Sequence, residues 1–347
     1  FNLASSFVFI KKIVNYILIF MEDINESDCC GNGCANCVLN IKPAKSLKAD
    51  KSGKQNILNN YTHFRLINKT LHQPQVNNVW ELHFKSKYFE NNKEYILDMN
   101  AGYHLMMRKP LTIMKNAKGG NSGNEMTIER KFLLRPYSPY WWDCLEMEFK
   151  ILVNLKSQGP MSKYIEKLEI NDEVEFKGPI GSFEHAIDVK GEKCLLIISQ
   201  GVAIAPVIAI IEEILNNEED LCRITHIACF QDLKHVYFRD KLYDFNKYWN
   251  YQVQIYLSRE LCDNTECLIN QQCLEICENF KSKLKYKEDI KPISFKENYL
   301  ELLLAKLQYR KENVHVILAG NGKFQNYFKE LLLQTNYGVA ESNIYLL

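Results

Sequence analysis

The stretch KCLLIISQGVAIAP at residues 193–206 decides the fold, because an unbroken apolar run leads directly into a glycine and a helical pattern. Such a run is typical of a strand that is buried on both faces of a parallel sheet. Three more strands follow in alternation with helices, the strands at 224–230, 252–257 and 315–319 and the helices at 206–216, 239–248 and 324–333. This alternation predicts a doubly wound parallel sheet, which binds ligands at the carboxyl ends of its strands.

The preceding part of the chain has a different pattern. Residues 60–155 contain short segments in which apolar and polar residues alternate, such as VWELHF at 79–84 and LEMEFKILVN at 145–154. Period-two alternation without a long helical period indicates antiparallel strands that close into a barrel. We therefore predict two domains. The first is an antiparallel β-barrel of the six-stranded type at 59–188, and the second is an α/β domain with a doubly wound parallel sheet at 189–347.

Composition limits the class of protein. The chain has 347 residues, a net charge of +1 and ordinary apolar and charged fractions, so it has a globular composition without the basic field of a nucleic-acid-binding protein. Its 12 cysteines do not indicate a secreted disulfide scaffold, since a chain of this length buries a core without such bonds. We expect mostly free thiols in a reducing compartment, which indicates a cytoplasmic protein.

Residues 1–20 form an apolar leader that Lys11 and Lys12 interrupt. Each half is too short to span a bilayer, and the two charges lie near the middle of the whole. Two interpretations are open. The leader is either an anchor, which would associate the protein with an intracellular membrane, or translated upstream sequence before a true start at Met21. We favour the second, and no small-residue cleavage site is present.

A cysteine-rich segment with a polar linker follows at residues 21–58. Cys29, Cys30, Cys34 and Cys37 are candidate zinc ligands, because thiolates bind Zn²⁺ well and the glycines between them permit a tight turn. The spacing of Cys34 and Cys37 suits a metal, whereas the side chains of the adjacent Cys29 and Cys30 diverge. A redox-inert or partner-binding tip is the alternative.

The motif Arg135-Pro136-Tyr137-Ser138-Pro139-Tyr140 is a candidate anion site in the first domain. Proline fixes its own φ and restricts the residue before it, so Arg135 and Ser138 would be held in fixed geometry with Tyr137 beside a planar ring. Arginine is suited to bidentate recognition of phosphate. The alternative is a proline-rich turn with a surface arginine.

Gly159-Pro160-Met161-Ser162 precedes a helical pattern at 163–168 and is a second candidate. The amino end of a helix binds phosphate through its backbone N–H groups and its dipole. The alternative is an ordinary helix cap, with Ser162 as the cap and Glu166 near the first turn, which requires no ligand.

These elements, in this order, resemble the NADH–cytochrome b5 reductase branch of the ferredoxin-reductase-like flavoenzymes. Gly178-Pro179-Ile180-Gly181-Ser182-Phe183 and Gly201–Pro206 match two further motifs of that family, and Gly102-Tyr103-His104 lies where the family has a strand element. The resemblance covers about residues 60–347. The segment around Cys29–Cys37 resembles the short oxidoreductase-like segment of the cytochrome b5 reductase-like subgroup.

The resemblance implies a role for each matching residue. Arg135 would contact the FAD pyrophosphate and Tyr137 the flavin ring, while Lys150 and Val153 would lie on the strand beside the flavin. The implied FAD-binding residues are Arg135, Pro136, Tyr137, Ser138, Lys150, Val153, Gly159, Met161, Ser162, Gly178, Pro179 and Gly181. The implied nicotinamide-nucleotide-binding residues are Gly201, Ala203, Ala205, Pro206, Ser258, Arg259 and Gly320.

The sequence departs from the family at several of these positions. Pro160 replaces a lysine, Ala203 replaces a glycine at the nucleotide pyrophosphate, and Ala319 replaces a cysteine near the nicotinamide. We expect weaker nucleotide binding from Ala203. The pair Ser258-Arg259 resembles the 2′-phosphate site of NADP-dependent relatives, so NADPH is an option beside NADH, which the family favours.

The resemblance implies an enzyme that passes electrons from NADH through FAD to a one-electron acceptor, a haem protein such as cytochrome b5. Hydride transfer requires no general acid or base, and no catalytic residue is assigned. Two alternatives are open. The chain is a degenerate flavin-binding reductase with weak or no nicotinamide turnover, or the cysteine segment is an interaction module on a flavin-binding scaffold.

Overall fold

The computed structural model describes residues 54–76, 78–87, 95–116, 126–155, 159–260, 277–334 and 338–347. These residues build an antiparallel sheet of seven strands and a parallel sheet of six, together with a short two-stranded pair. The antiparallel sheet lies within residues 62–180 and the parallel sheet within residues 194–346. The two-domain fold predicted from the sequence is therefore confirmed.

The antiparallel sheet has the strand order β6-β5-β9-β2-β3-β8-β7. Its two outermost strands, β6 and β7, follow one another in the chain with only Ser138 between them. The strands are β2 (Thr62–Leu71), β3 (Val79–Ser86), β5 (His104–Asn116), β6 (Met126–Tyr137), β7 (Pro139–Asp143), β8 (Glu148–Asn154) and β9 (Glu173–Ile180), and β1 (Gln55–Asn56) pairs separately with β4 (Tyr95–Ile96). Helix α1 (Pro160–Lys167) connects β8 to β9.

Four phenylalanines fill the inside of this sheet, because they occupy inward-facing positions on four different strands. Phe64, Phe84, Phe149 and Phe176 are fully buried, and the ring centroids of Phe149 lie 5.0 Å from those of Phe64 and Phe176. Their edge-to-face arrangement is the geometry that aromatic pairs prefer. The apolar positions of the alternating pattern that predicted these strands thus face this core, and the positions between them face outward.

Two details of the first domain differ from the prediction. Residues 145–147, predicted as part of a strand, form a turn, because the Asp143 carboxylate accepts hydrogen bonds from the backbone N–H groups of Leu145 and Glu146, each at 2.8 Å. The Arg135-Pro136-Tyr137 segment ends strand β6 and is not a turn. Pro136 is tolerated there because β6 pairs only with β5 and is an edge strand.

The parallel sheet has the order β13-β12-β11-β10-β14-β15, so the chain reverses direction across the sheet between β10 and β14. Its strands are β10 (Cys194–Gln200), β11 (Arg223–Phe230), β12 (Tyr251–Leu257), β13 (Ile290–Lys291), β14 (Val314–Ala319) and β15 (Ile344–Leu346). Its helices are α2 (Ile204–Leu215), α3 (Arg239–Phe245), α4 (Glu278–Lys281), α5 (Glu297–Lys306) and α6 (Gly322–Gln334). The predicted helix at 239–248 ends earlier, at Phe245, with Asn246 as its C-cap.

Helix α2 joins the two domains. Ten of its twelve residues are buried, because it packs against the parallel sheet on one side and against Val79, Tyr140 and Leu152 of the antiparallel sheet on the other. Gly102 permits this approach, since a Cβ atom there would lie 2.9 Å from Cδ1 of Ile210. The amino end of α2 is thereby fixed at the boundary between the domains.

Candidate functional site

A cleft of about 480 Å³ lies at the carboxyl ends of β10, β11 and β12. Asn78, just before β3, and Asn154 of β8 also line it, and Nδ2 of Asn78 donates to Oδ1 of Asn154 at 2.7 Å. The cleft therefore has walls from both domains. This is the position at which open α/β sheets bind ligands, beside the point where the strand order reverses.

Three of the predicted nucleotide-binding residues line this cleft: Gly201, Ser258 and Arg259. Gly201 has a φ of +57° and directly follows β10, and a Cβ atom there would meet nothing within 4 Å. The residue is therefore required for its backbone conformation, while its open side lets a ligand approach the backbone closely.

Three other predicted residues, Ala203, Ala205 and Pro206, lie in the turn and helix behind Gly201. Ala205 and Pro206 are buried on α2, and Ala203 packs against the same apolar core. Ala319, which replaces the family cysteine, is fully buried in that core as well. None of these four residues belongs to the described lining of the cleft.

Gly320 directly follows β14 and is in a crowded position. A Cβ atom there would lie 2.6 Å from Cδ1 of Phe324 and 3.3 Å from Cβ of Gln200. Phe324 and Gln200 themselves line the cleft. The glycine is therefore needed for the packing that holds these two side chains in place.

Ser258 and Arg259 follow β12 and are exposed. Their backbone is held against the end of β11, since the Ser258 N–H donates to the Phe230 carbonyl at 3.0 Å and the Arg259 N–H donates to the Gln231 carbonyl at 2.7 Å. The two side chains project from a rigid turn between neighbouring strands. This turn is a suitable place for a group that recognises an anion.

Several cleft residues were not predicted from the sequence. Gln200 and His235 line the cleft with polar groups, and Tyr256 and Phe295 contribute aromatic surface. Gln200 is the last residue of β10, and its place at the strand end was the sequence signal that would have found it. Gln231 also lines the cleft, and the sequence had already indicated residues 230–232 as a strand end where a ligand would bind.

The FAD motif lies on the other domain, at the junction of β6 and β7. Arg135 is half-buried, and its Nη1 donates to the carbonyl of Leu134 at 2.6 Å. Tyr137 packs against the core cluster of the antiparallel sheet that also contains Val153 and Met161, and burial raises the pKa of its hydroxyl. Four predicted positions, Arg135, Tyr137, Val153 and Met161, are thus brought to one region.

Helix α1 completes this region. Its N-cap is Gly159 and not Ser162, its first residue is Pro160, and no side chain caps it. Proline suits the first helical position because its ring fixes a helical φ and the N–H that it lacks has no partner inside a helix. Ser162 lies in the third position of the helix, and Met161 turns into the core.

The predicted donors are of the chemical kind that would hold the diphosphate of FAD. They combine the Arg135 guanidinium, the Ser138 hydroxyl at the β6–β7 junction and a helix amino end without a side-chain cap. Guanidinium groups and helix amino ends are the usual phosphate donors in proteins. When bound, the flavin supplies the capacity to take up a hydride and release electrons singly.

Lys150, the remaining predicted residue on β8, lies on the outer face of that strand. Its Nζ is 3.9 Å from Oε1 of Glu81 and 5.0 Å from the centre of the Trp141 ring. The charge is therefore partly balanced within the protein. Its outward direction differs from that of Val153, which is buried in the core.

Gly178, Pro179 and Gly181 lie where β9 passes strand β5. A Cβ atom at Gly178 would lie 2.9 Å from Cδ2 of Leu105, and one at Gly181 would lie 2.7 Å from the ring of Tyr103. Both glycines permit close packing of the backbone at the junction of the domains. Their role in the structure is the packing of β5, which begins at His104, the last residue of the Gly102-Tyr103-His104 element.

A polar network inside the parallel sheet was also not predicted. Nε2 of His226 lies 2.9 Å from Oγ of Ser199, and Nδ1 lies 2.9 Å from the hydroxyl of Tyr251. His226 and Ser199 are fully buried, and burial lowers the pKa of His226 to about 3. Because solvent does not reach these groups, the network ties three strands together and does not form a reaction site.

The predicted zinc ligands and the possible membrane anchor belong to the amino-terminal part of the chain. Cys29, Cys30, Cys34 and Cys37 and the leader at residues 1–20 lie outside the described residues. Among the residues that the structure describes, no group of three or more potential ligands could hold a metal ion. Within the same residues, no helix has the length and apolarity needed to cross a membrane.

Comparison with known proteins gives matches over both domains. Residues 78–185 match the family described as oxidoreductase FAD-binding domain. An NADH-cytochrome b5 reductase-like protein of Mus musculus is 26% identical over 248 residues, which are 68% of this chain and 72% of that protein. A protein of the same name from Homo sapiens is 30% identical over 126 residues, 36% of this chain, and the match spans only 39% of that relative.

The fold has a solved counterpart in the cytochrome b5 reductase domain of Ulva prolifera nitrate reductase. The TM-score is 0.57 at 17% identity, and the match covers 84% of this chain and 98% of that domain. At this identity the likeness establishes the fold alone. Together with the relatives it confirms the resemblance to cytochrome b5 reductase-like proteins that was inferred from the order of the motifs. The matched family does not extend to the cysteine segment, so zinc gains no support.

Proposed function

We propose that this cytochrome b5 reductase-like protein is a FAD-dependent reductase. It would take electrons from a reduced nicotinamide nucleotide, NADH in the names of its relatives, and pass them to a one-electron acceptor, a haem protein such as cytochrome b5. Those names describe the relatives, so the main support for this function comes from the residues of this chain.

One observation supports the proposal above the others. The cleft that Gly201 lines at the carboxyl edge of the parallel sheet is also lined by Asn78 and Asn154 of the first domain. A nucleotide held at Gly201 would therefore extend toward the domain that carries the Arg135–Ser138 motif. Electron transfer between two bound groups requires this arrangement.

The protein's own residues would do the binding and positioning. Arg135 and the start of α1 would hold the FAD diphosphate, and the ring of Tyr137 would lie against the flavin. Gly201 and the amino end of α2 would hold the nucleotide diphosphate. No residue is required to transfer a proton in the hydride step, and electrons would leave one at a time to the acceptor.

Two departures from the family motivated the alternative of a degenerate reductase. The placement of Ala203 and Ala319 weakens that alternative, because Ala319 is fully buried, the partly buried Ala203 packs against the same core, and neither is among the described residues that line the cleft. A reductase that turns over is therefore the better supported of the two. The free thiols of Cys144, Cys194, Cys222 and Cys229 support action in a reducing, cytoplasmic compartment.

The decisive experiment uses the full chain, reconstituted with FAD and separated from free flavin. We expect a yellow protein with bound-flavin absorption, which NADH or NADPH bleaches under anaerobic conditions and which cytochrome b5 then reoxidises. Protein that retains no flavin would overturn the proposal. Bound flavin that neither nucleotide bleaches would establish the degenerate alternative. Bleaching without electron transfer to cytochrome b5 would support a reductase of the flavin but exclude cytochrome b5 as its acceptor.

A further inference from the structure

Residues 235–238 of the second domain, here called the lining segment, contribute to the cleft. His235 and Tyr237 line it, and the ring of Tyr237 lies 5.8 Å from that of Phe230, which lines it as well. Val236 and Tyr237 are buried. The shape of the cleft on this side therefore depends on where the backbone of the lining segment is held.

Two hydrogen bonds hold the lining segment against the first domain. Their partners there are His72 and Gln73, which follow the last residue of β2. Nε2 of Gln73 donates to the carbonyl of Val236 at 2.8 Å, and Nε2 of His72 accepts the Phe238 N–H at 3.3 Å. Both bonds cross the boundary between the domains, so the first domain fixes the backbone of the lining segment.

Aromatic rings reinforce the same contact. The ring centroid of His72 lies 4.5 Å from that of Phe238 and 5.9 Å from that of Tyr237. The ring of Tyr140 on β7 lies 5.0 Å from that of Phe238. Tilted and edge-to-face arrangements at such distances are favourable for aromatic pairs. The first domain therefore contacts both the backbone and the side chains of the lining segment.

The conformation of Phe238 shows that the contact constrains the chain. Its φ of +56° is in the left-handed region, which a bulky residue rarely adopts. Such a conformation persists only where the surrounding structure imposes it. Gln73 also bears a cost, because its Oε1 is buried and has no hydrogen-bond partner among the described residues. The contact between the domains offsets both costs.

We propose that His72 and Gln73 are positioning residues for the nicotinamide nucleotide. Neither is among the described residues that line the cleft, so they act through the lining segment and not by touching the nucleotide. By holding Tyr237 and His235 in place, they set the affinity of the cleft. The implied FAD-binding residues are a separate set, so the affinity for FAD should not depend on this contact. The inference rests on the proposed function, since it concerns the same cleft.

The test measures nucleotide binding without the reaction. ADP-ribose, which lacks the nicotinamide, is titrated into the full chain reconstituted with FAD, and its affinity is measured by calorimetry. Gln73→Met keeps the approximate length of the side chain but removes its donor. We expect ADP-ribose to bind about fivefold more weakly to this variant, the effect of one lost hydrogen bond, and the affinity for FAD to stay within about twofold of the parent.

Two further measurements separate positioning from a general loss of structure. Hydrogen exchange of the Phe238 amide reports its bond to His72, and it should be faster in Gln73→Met because the lining segment opens more often. The rate of flavin bleaching at saturating NADH should stay within about twofold of the parent, since a weaker cleft raises the KM and not the barrier of the reaction. A general loss of structure would lower FAD binding and the saturating rate together.

Gln75→Ala is the matched control, because Gln75 is an exposed glutamine in the same connection between β2 and β3. It should bind ADP-ribose as the parent does. His72→Phe is the second test variant, which keeps a ring beside Phe238 but accepts no hydrogen bond, and it decides the question if Gln73→Met does not fold. It should bind ADP-ribose about threefold more weakly. Parent-like affinity in a folded test variant, or equal weakening in Gln75→Ala, would overturn the inference.

This outcome is separable from the fate of the proposed function. A chain that holds no flavin, but binds ADP-ribose more weakly in Gln73→Met than in the parent, retains the inference and loses the reductase. A chain whose flavin is bleached by NADH, with one ADP-ribose affinity in parent and variant, retains the reductase and loses the inference. A parent that binds no ADP-ribose would overturn the nucleotide site on which both depend.

Discussion

Asn321 and Gln200 are bonded to each other across the point where the parallel sheet reverses. Nδ2 of Asn321 donates to Oε1 of Gln200 at 2.8 Å, and Oδ1 of Asn321 accepts the Phe324 N–H at 3.0 Å. One side chain thus caps helix α6 and joins the ends of β10 and β14. These two ends form the edge of the cleft beside Gly201.

The two roles of Asn321 are separable by substitution. Asn321→Ala should lower the free energy of unfolding by about 1 kcal/mol, because the helix loses its cap. Asn321→Ser should retain most of that stability, since a serine hydroxyl caps a helix start but does not reach Gln200. Urea unfolding measures both. Equal losses in the two variants would show that the bond to Gln200, and not the cap, carries the stability.

Arg135 should be the main determinant of FAD affinity. Arg135→Ala removes the guanidinium from the proposed diphosphate site, and we expect FAD to dissociate about ten to a hundred times more readily, the range of a charge-assisted contact. Arg135→Lys should recover part of the loss. Flavin fluorescence on dilution measures it.

The control for that prediction is Arg65→Ala. Arg65 is an exposed arginine on β2 of the same sheet, so this variant changes the net charge equally without touching the motif. The assignment fails if Arg65→Ala weakens FAD binding as much as Arg135→Ala does.

The sequence predicted the parallel sheet more closely than the antiparallel one. The run that became β10 was located within one residue, because a strand buried on both faces leaves an unbroken apolar signal. The start of β8 was missed, since the side chain of Asp143 turns the chain through hydrogen bonds that alternation does not reveal. Local side-chain bonding overrode the pattern.

Some residues of the candidate site were predictable from sequence order, and others were not. Gly201 and Arg259 line the cleft, as expected for residues that follow strand ends, because position at a strand end is a property of sequence order. The burial of Glu260 depends on its bond to Leu233 and was not predictable from order. The same applies to His235, whose place in the cleft depends on the turn that Asp232 caps. Residues whose role comes from tertiary hydrogen bonds leave no local pattern.

The interface between the domains should be sensitive to the size of residue 102. Gly102 has a φ of +83°, and a Cβ atom there would overlap Ile210 of α2. Gly102→Ala should therefore cost about 2–4 kcal/mol of unfolding free energy, from backbone strain and overpacking together. Gly191 has a φ of +65° but would meet only Leu221 at an ordinary 3.5 Å, so Gly191→Ala carries the strain alone. Similar losses in the two variants would exclude overpacking at Ile210.

Acid should destabilise the protein in part through His226. Burial lowers the pKa of this residue to about 3, whereas in the unfolded chain it titrates near the ordinary value of about 6.5. Between these values the unfolded state binds a proton that the native state does not, so the stability that His226 contributes is present above the unfolded pKa and is lost as the pH falls.

His226→Gln keeps a polar group between Ser199 and Tyr251 but removes the titration. We expect the free energy of unfolding of the variant to fall less than that of the parent between pH 7 and pH 5. The difference in slope against pH should be at most that for uptake of one proton by the unfolded state. Urea unfolding of both proteins at the two pH values gives the comparison. A loss in the variant as steep as in the parent would show that the native state binds a proton at His226 as readily as the unfolded chain does.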